Sequence, residues 1–159
     1  MGPQINVPLS SVTAGGWKKC FSQTHAQKLT RDKFRTIRDL DCNGKFTLLA
    51  CRSTTSNILT ALAAGPKDDI FSVTDTKLRQ NRGHIVHGSR WYVQDQGSAT
   101  GSWGFARPED DINLNSCDDK NGQHKLCWHL NDAGWRCGST QHLTGKSTWE
   151  KIVFTSNDY

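Results

Sequence analysis

The segment FTLLACR, residues 46–52, decides the fold class of this chain. Its apolar residues occupy both alternating positions, which is typical of a central strand buried on both faces of a two-layer structure. Two further short apolar segments follow at 58–64 and 69–74, and they flank a Gly65-Pro66 turn. These patterns predict strands, so the rest of the chain is interpreted outward from a β core.

The C-terminal half continues the pattern of short strands. KLCWHL, residues 125–130, alternates so that Leu126, Trp128 and Leu130 share one face. About eight short strands separated by turns predict a β-sandwich or a partly closed barrel. The remaining strands are predicted at 85–94, 102–106, 135–138 and 148–155, with loops at 75–83, 97–101 and 108–122.

One helix is predicted in the N-terminal third. TRDKFRTIRDL, residues 30–40, begins with Thr30, whose side chain can cap the first turn. Phe34, Ile37 and Leu40 then recur at three-residue steps, which predicts one apolar helix face. The predicted fold class is therefore mainly β with one short N-terminal helix.

The chain is predicted to hold one domain. Residues 1–14 are interpreted as an extended arm, and residues 15–159 as a single disulfide-stabilised β-rich domain. Residues 1–9 lack the apolar run of a signal peptide, so secretion implies a leader that precedes this sequence. No stretch approaches the roughly 20 apolar residues of a membrane span.

The six cysteines are predicted to pair as three disulfides. An even number of cysteines without a CxxC pair argues against a zinc ribbon and against a thioredoxin-like redox motif. Because disulfides persist in oxidising compartments, the protein is predicted to be secreted, with six free thiols in a cytosolic protein as the alternative. The spacing does not choose the pairing of Cys20, Cys42, Cys51, Cys117, Cys127 and Cys137.

Several short strings, taken together, resemble a recurring extracellular Cys/Trp-rich domain. The resemblance covers about residues 15–155 and implies secretion and one compact domain, without an activity. The segment 95–101 is longer than in that pattern, which predicts a variable loop. The strings are Gly16-Trp17 with Cys20, LLACR at 48–52, SWGFA at 102–106, LCWH at 126–129, RCGST at 136–140 and STWE at 147–150.

Positive charge is concentrated in the N-terminal third. The whole chain carries a net charge of +5, and residues 1–52 hold nine Lys or Arg against three Asp. This third could contact an anionic surface or polysaccharide, or it could be a solvated helix face. Nucleic-acid binding is not predicted, because five of the six Trp residues lie beyond residue 90, away from the basic third.

No catalytic or metal-binding motif stands out, so an enzyme is not the favoured prediction. The sequence has no Gly-x-Ser-x-Gly elbow, and His84 and His87 would face opposite sides of a strand. No metal or other cofactor is predicted. Calcium at the acidic loop is the alternative, although Lys120 would place a cation among the ligands Glu109, Asp110, Asp111, Asp118 and Asp119.

The tryptophan excess carries the functional prediction. Trp91, Trp103 and Trp135 adjoin polar loops, and exposed rings at loop edges are suited to holding sugars. The alternative is that these rings pack over disulfides. The predicted ligand-binding residues are Arg90, Trp91, Gln94, Asp95, Trp103, Trp135 and Arg136.

The predicted function is a secreted ligand-binding or adhesion module, lectin-like, with an extracellular glycan or cell-surface ligand as its partner. A small secreted hydrolase using His87 or His129 is one alternative. A structural tip or assembly domain of an extracellular fibre or coat is the other.

Overall fold

Two antiparallel sheets of five strands each make up the architecture in the computed structural model, which describes residues 1–72, 83–94, 101–115 and 117–158. The strands are β1 Gln4–Pro8, β2 Lys18–Thr24, β3 Phe46–Ser53, β4 Ile58–Pro66, β5 His84–Val86, β6 Ser89–Gln94, β7 Gly101–Ala106, β8 Leu114–Asn115, β9 Cys117–Asp118, β10 Leu126–Leu130, β11 Gly134–Cys137 and β12 Trp149–Ser156. The helices are α1 Leu9–Ala14, α2 Arg31–Thr36 and α3 Lys67–Ile70, with a π-helical turn at Ile37–Asp41.

The prediction of a mainly β fold is confirmed, as a sandwich-like pair of sheets and not a closed barrel. Sheet 1 has the strand order β1-β4-β3-β12-β2, and sheet 2 has the order β11-β10-β7-β6-β5. Strands β8 and β9 form a separate two-stranded ribbon. The largest apolar cluster contains residues of both sheets, among them Leu49, Val153, Trp103 and Trp128.

Each sheet also has a second buried face. The other face of sheet 1 carries Leu48, Leu62 and Phe154, which pack with Val12 of α1. This double burial explains why FTLLACR, now β3, is apolar at successive positions. The outer face of sheet 2 is partly covered by the segment that leads from β7 to β10, through residues such as Ile112.

The predicted helix forms, but it changes geometry half-way. The Thr30 hydroxyl accepts a hydrogen bond from the Lys33 N–H at 3.0 Å, as expected for a cap. Phe34 and Ile37 are fully buried, whereas Leu40 is 70% exposed. The prediction that Leu40 shares their face is wrong, because the π-helical turn has a different period and rotates this side chain outward.

Other segments differ from the predicted elements. Lys67–Ile70 is a helical turn and not part of a strand, and 85–94 is a hairpin whose turn at His87 and Gly88 has positive φ angles of 52° and 78°. The segment interpreted as an arm joins sheet 1 as the edge strand β1 and then forms α1. The predicted loops at 75–83 and 97–101 lie largely outside the described residues, whereas the predicted loop at 108–122 is described except for residue 116 and contains the short strands β8 and β9.

The prediction of three disulfides is confirmed. Cys51–Cys137 joins β3 of sheet 1 to β11 of sheet 2, so it links the two layers. Cys20–Cys42 ties β2 to the end of the π-helical turn, and Cys117–Cys127 ties β9 to β10. Within the described residues, no helix is long and apolar enough to cross a membrane.

Candidate ligand-binding site

Strand alternation gives sheet 2 an inner and an outer face. On β10, Trp128 packs in the core between the sheets, and it pairs with Trp103 of β7. The next residue, His129, pairs with Ser102, and Ser102 pairs in turn with Gln94 of β6. Because paired residues point to the same face, His129, Ser102 and Gln94 form a row across the outer face.

Two predicted binding residues lie on the inner face. Trp91 and Trp103 are fully buried, and the Trp103 Nε1 donates to the Ile70 carbonyl oxygen at 3.1 Å. The Trp103 ring makes an edge contact with Trp128 at 5.5 Å between ring centroids. Neither Trp91 nor Trp103 offers a surface to a ligand, so the interpretation of these two rings as exposed is corrected: they are core residues.

The predicted arginines are engaged by the protein itself. Arg90 donates to the Pro108 carbonyl oxygen at 2.5 Å. Arg136 is fully buried, and its guanidinium donates to backbone carbonyls, including Gly138 at 3.0 Å and Gly122 at 2.9 Å. Arg136 therefore holds the covering segment and is not available to a ligand. Asp95 lies outside the described residues.

Gln94 and Trp135 are the predicted residues that lie on the outer face, on β6 and β11, with β7 and β10 between them. Trp135 is half-buried, and its ring meets the imidazole of His129 edge-on, with 5.7 Å between centroids. The exposed His142 contacts the same ring at 4.6 Å. We call Gln94, Ser102, His129, Trp135 and His142 the Trp135 face.

Three polar atoms of the Trp135 face are buried without a hydrogen-bond partner among the described residues. They are the Ser102 hydroxyl oxygen, the His129 Nδ1 and the Trp135 Nε1. Most buried polar atoms in folded proteins are paired, so such a group points to a missing partner such as a ligand or water. The three atoms can offer both donors and acceptors.

A network of backbone hydrogen bonds fixes the loops around the Trp135 face. The Asn131 N–H donates to the Leu29 carbonyl at 2.7 Å, and the Leu29 N–H donates to the Asp132 carbonyl at 2.8 Å. The Leu143 N–H donates to the Trp135 carbonyl at 2.9 Å. These bonds join the β2–α2 connection to the β10–β11 turn, and β11 to the loop that follows it.

The His129 imidazole of the Trp135 face is uncharged at neutral pH. Burial lowers the pKa of His129, although Asp132 and the Ala133 backbone act in the opposite direction and Lys151 adds to the lowering. The ring is therefore a neutral donor and acceptor. Asp132 is the carboxylate near this ring, and its Oδ1 accepts from the Ala133 N–H at 2.8 Å.

Carboxylates of the acidic loop at 108–122 form ion pairs within the protein. Asp118 forms a fully buried ion pair with Lys125 at 2.9 Å, and Asp110 pairs with Arg107 at 2.8 Å. In the part of the chain that the structure describes, no group of three or more His, Cys, Asp or Glu side chains could hold a metal ion. Calcium binding at this loop stays a prediction.

Ser102, His129 and His142 were not among the predicted ligand-binding residues. The signal was present in RWYVQ, residues 90–94, where strict alternation separates Trp91 from Gln94. The pairing of Ser102 with His129 depends on strand register and could not be found from one sequence.

Known proteins give no further guidance, because no family model, curated protein or solved structure matches this chain. The function must therefore be argued from the geometry of the Trp135 face.

Proposed function

We propose that the protein is an extracellular carbohydrate-binding module and that the Trp135 face holds its ligand. The observation that carries the proposal is three buried polar atoms that have no hydrogen-bond partner among the described residues, one of which is the Nε1 of the half-buried Trp135 indole. Sugar rings combine an apolar face with hydroxyl groups that donate and accept, which matches an aromatic ring bordered by a hydroxyl and an imidazole. The three disulfides favour an oxidising compartment such as the cell exterior.

The same chemistry favours a neutral sugar. His129 is neutral at pH 7 because burial lowers its pKa, and Asp132 near it would repel an anionic group. The Arg136 guanidinium, which could otherwise attract a carboxylate, already donates to the carbonyls that surround it. A neutral hexose or short neutral oligosaccharide is therefore the ligand class.

A hydrolase is the second candidate, and one observation favours it. Ser102 faces His129 across two paired strands, and Asp132 lies near the imidazole, as in a nucleophile–base–acid set. The lack of a hydrogen bond between Ser102 and His129 argues against it, since the Ser102 hydroxyl has no hydrogen-bond partner among the described residues and a nucleophile needs a base within hydrogen-bond reach. Binding is thus the favoured function.

The binding proposal is tested by titrating neutral and acidic oligosaccharides with calorimetry and tryptophan fluorescence. We expect binding of a neutral sugar at pH 8 and a loss of at least about tenfold in affinity in Trp135→Ala, because hot-spot aromatic side chains contribute most of the binding free energy. Trp17→Phe is the matched control, since Trp17 packs on the far side of sheet 1. Equal affinity in Trp135→Ala and wild type would refute the assignment.

The hydrolase candidate has its own measurement. A fluorophosphonate probe should leave Ser102 unlabelled if the site only binds. Labelling that is lost in both Ser102→Ala and His129→Ala would replace the binding proposal by esterase-type chemistry.

A further inference from the structure

Two buried bases lie behind the Trp135 face. His25 and Lys151 are both fully buried. Among the described residues, neither ring nitrogen of His25 has a hydrogen-bond partner, and the Lys151 Nζ donates only to the Gln27 carbonyl oxygen, at 3.0 Å. Two buried basic groups thus lie near each other, and neither has an ion-pair partner among the described residues.

The His25 imidazole packs directly against the turn that bounds the Trp135 face. A methyl group at Gly134 would lie only 2.3 Å from the His25 Nδ1, so the ring rests on the backbone next to Trp135. The His25 backbone is bonded to the same region, because its carbonyl accepts from the Gly145 N–H at 2.9 Å. Any outward movement of His25 therefore moves the loops of the face.

The charged groups around the pair do not neutralise it. Asp132, on the β10–β11 turn, is the carboxylate close enough to favour protonated Lys151, and no ion pair within 4.0 Å joins them among the described residues. Glu150, the preceding residue on β12, pairs with Arg52 at 2.8 Å. His129 adds a third base on the other side of the turn, and Gln23, opposite Lys151 on β2, is uncharged.

We infer that the His25–Lys151 pair is a proton-operated latch that closes the loops around the Trp135 face at neutral to alkaline pH and loosens them as the pH falls. The inference rests on the proposed function for its role in ligand release. The latch itself, however, is a property of the free protein.

The direction of the effect follows from proton linkage. Burial, with a smaller contribution from the charge of Lys151, lowers the pKa of His25 from 6.5 to about 3, although the Gly134 backbone acts in the opposite direction. Burial lowers the pKa of Lys151 from 10.5 to about 7, against the opposing charge of Asp132. An opened form that exposes both groups binds protons more strongly than the closed form does. Closure is therefore strongest at high pH and weakens as protons bind.

The two groups act in different pH windows. If opening restores ordinary pKa values, His25 increases the opening equilibrium by roughly 20-fold between pH 7 and 5, where Lys151 adds only about twofold. Between pH 9 and 7, Lys151 alone increases it by roughly 50-fold. The pH dependence in each window can thus be removed by substituting the residue that causes it.

The test is amide hydrogen exchange in the ligand-free protein between pH 5 and 9, corrected for intrinsic exchange rates. The reporters are the hydrogen-bonded N–H groups of Leu29, Asn131 and Gly145, with Ala50 in β3 as an internal reference. As the pH is lowered, we expect the protection of the three loop amides to decrease relative to that of Ala50. His25→Leu should remove most of the decrease between pH 7 and 5 (the acid limb), and Lys151→Met should remove most of the decrease between pH 9 and 7 (the alkaline limb).

The double variant Asp118→Leu with Lys125→Met is the matched control, because it removes an equally buried lysine together with its ion-pair partner. It should leave both pH limbs in place. Protection that does not change with pH in the wild type, or limbs that persist in His25→Leu and Lys151→Met, would overturn the latch. If a variant fails to fold, NMR titration of His25 in the wild-type protein decides, since an ordinary imidazole pKa contradicts the inference.

Sugar binding at pH 8 and pH 5 then separates the two proposals. Binding at pH 8 that weakens at pH 5 by about the same factor as the loop protection supports both. Absence of binding at every pH refutes the proposed function and leaves the exchange result to decide the latch. Binding that is equal at both pH values, with loops that loosen, would show that the latch does not regulate the site.

Discussion

Two lysines of this protein are equally buried but have opposite surroundings. Lys125, under the acidic segment outside sheet 2, forms an ion pair with the buried Asp118 at 2.9 Å. Lys151, between the sheets, donates to one backbone carbonyl and has no ion pair among the described residues. Both side chains have no measurable exposure, so burial alone cannot determine what a lysine does here.

The difference lies in how each region compensates for a buried charge. The charges of Lys125 and Asp118 neutralise each other, and the Arg136 guanidinium donates to the backbone carbonyl of Asp118. The region beneath the covering segment is therefore held by one ion pair and by hydrogen bonds to backbone carbonyls. The pKa of Lys151 is lowered to about 7 by burial, so much of its population is uncharged under mild conditions. A paired buried charge fixes structure, whereas an unpaired buried base makes structure depend on pH.

The largest effect on the free energy of unfolding is expected when the Lys125–Asp118 ion pair loses one partner. Asp118→Ala leaves Lys125 buried without a counter-charge and removes the acceptor for the N–H groups of Asn113 and Lys120. Removing one member of a buried ion pair costs about 3–5 kcal/mol in the free energy of unfolding. Urea denaturation at pH 7 measures it.

The double variant Asp118→Leu with Lys125→Met is the control for that prediction. It removes both charges and should recover most of the lost stability, because apolar replacement of a whole ion pair is commonly near neutral. A double variant as unstable as Asp118→Ala would mean that packing, and not the stranded charge, causes the loss.

Substitution of Lys151, which has no ion pair among the described residues, should instead increase the stability of the protein. Lys151→Met replaces a buried base by an apolar chain of similar length, so we expect a gain of about 1–3 kcal/mol at pH 7. In the wild type the unfolded state binds more protons between pH 7 and 10.5, so stability rises with pH in that window. The variant should lose this slope in denaturation curves recorded from pH 6 to 10, and an unchanged slope would contradict the assignment.

The fold could largely be predicted because its signals are local. Alternation in KLCWHL placed Leu126, Trp128 and Leu130 on one face, and all three are core residues. Leu40 was misplaced because nothing in TRDKFRTIRDL marks the change to a π-helical turn. The three-residue spacing of an α-helix was applied to Leu40, which lies beyond the end of the α-helix.

The candidate site was predicted only in part, for a different physical reason. Trp135 and Gln94 were named, whereas Trp91 was assigned to a loop edge although its position in the alternating RWYVQ segment places it in the core. Lys151 is two residues from the buried Val153 on β12, so the sequence indicates a lysine on the core-facing side of this strand. The proximity of Lys151 to His25 could not be predicted, since the non-local order of the strands brings those residues together.

A smaller effect is expected from steric opening of the latch. In Gly134→Ala the new methyl group would lie 2.3 Å from the His25 Nδ1, so the imidazole must move. Forcing an extra methyl group into a packed site costs about 1–3 kcal/mol. Thermal unfolding measures the cost, and a double-mutant cycle with His25→Ala should recover part of it. Additive costs in that cycle would show that the methyl group does not act through His25.

The smallest effect is expected where a charge pair is exposed. Asp41 contacts the Lys33 Nζ at 3.2 Å, with 33% and 43% of the two side chains exposed. Asp41→Ala should cost no more than about 1 kcal/mol, because water screens such pairs. The cost should also vanish in 1 M salt, where the Debye length is about 3 Å, whereas the cost of Asp118→Ala should persist. Denaturation of both variants at low and high salt makes the comparison, and equal salt sensitivity would contradict the distinction between buried and exposed pairs.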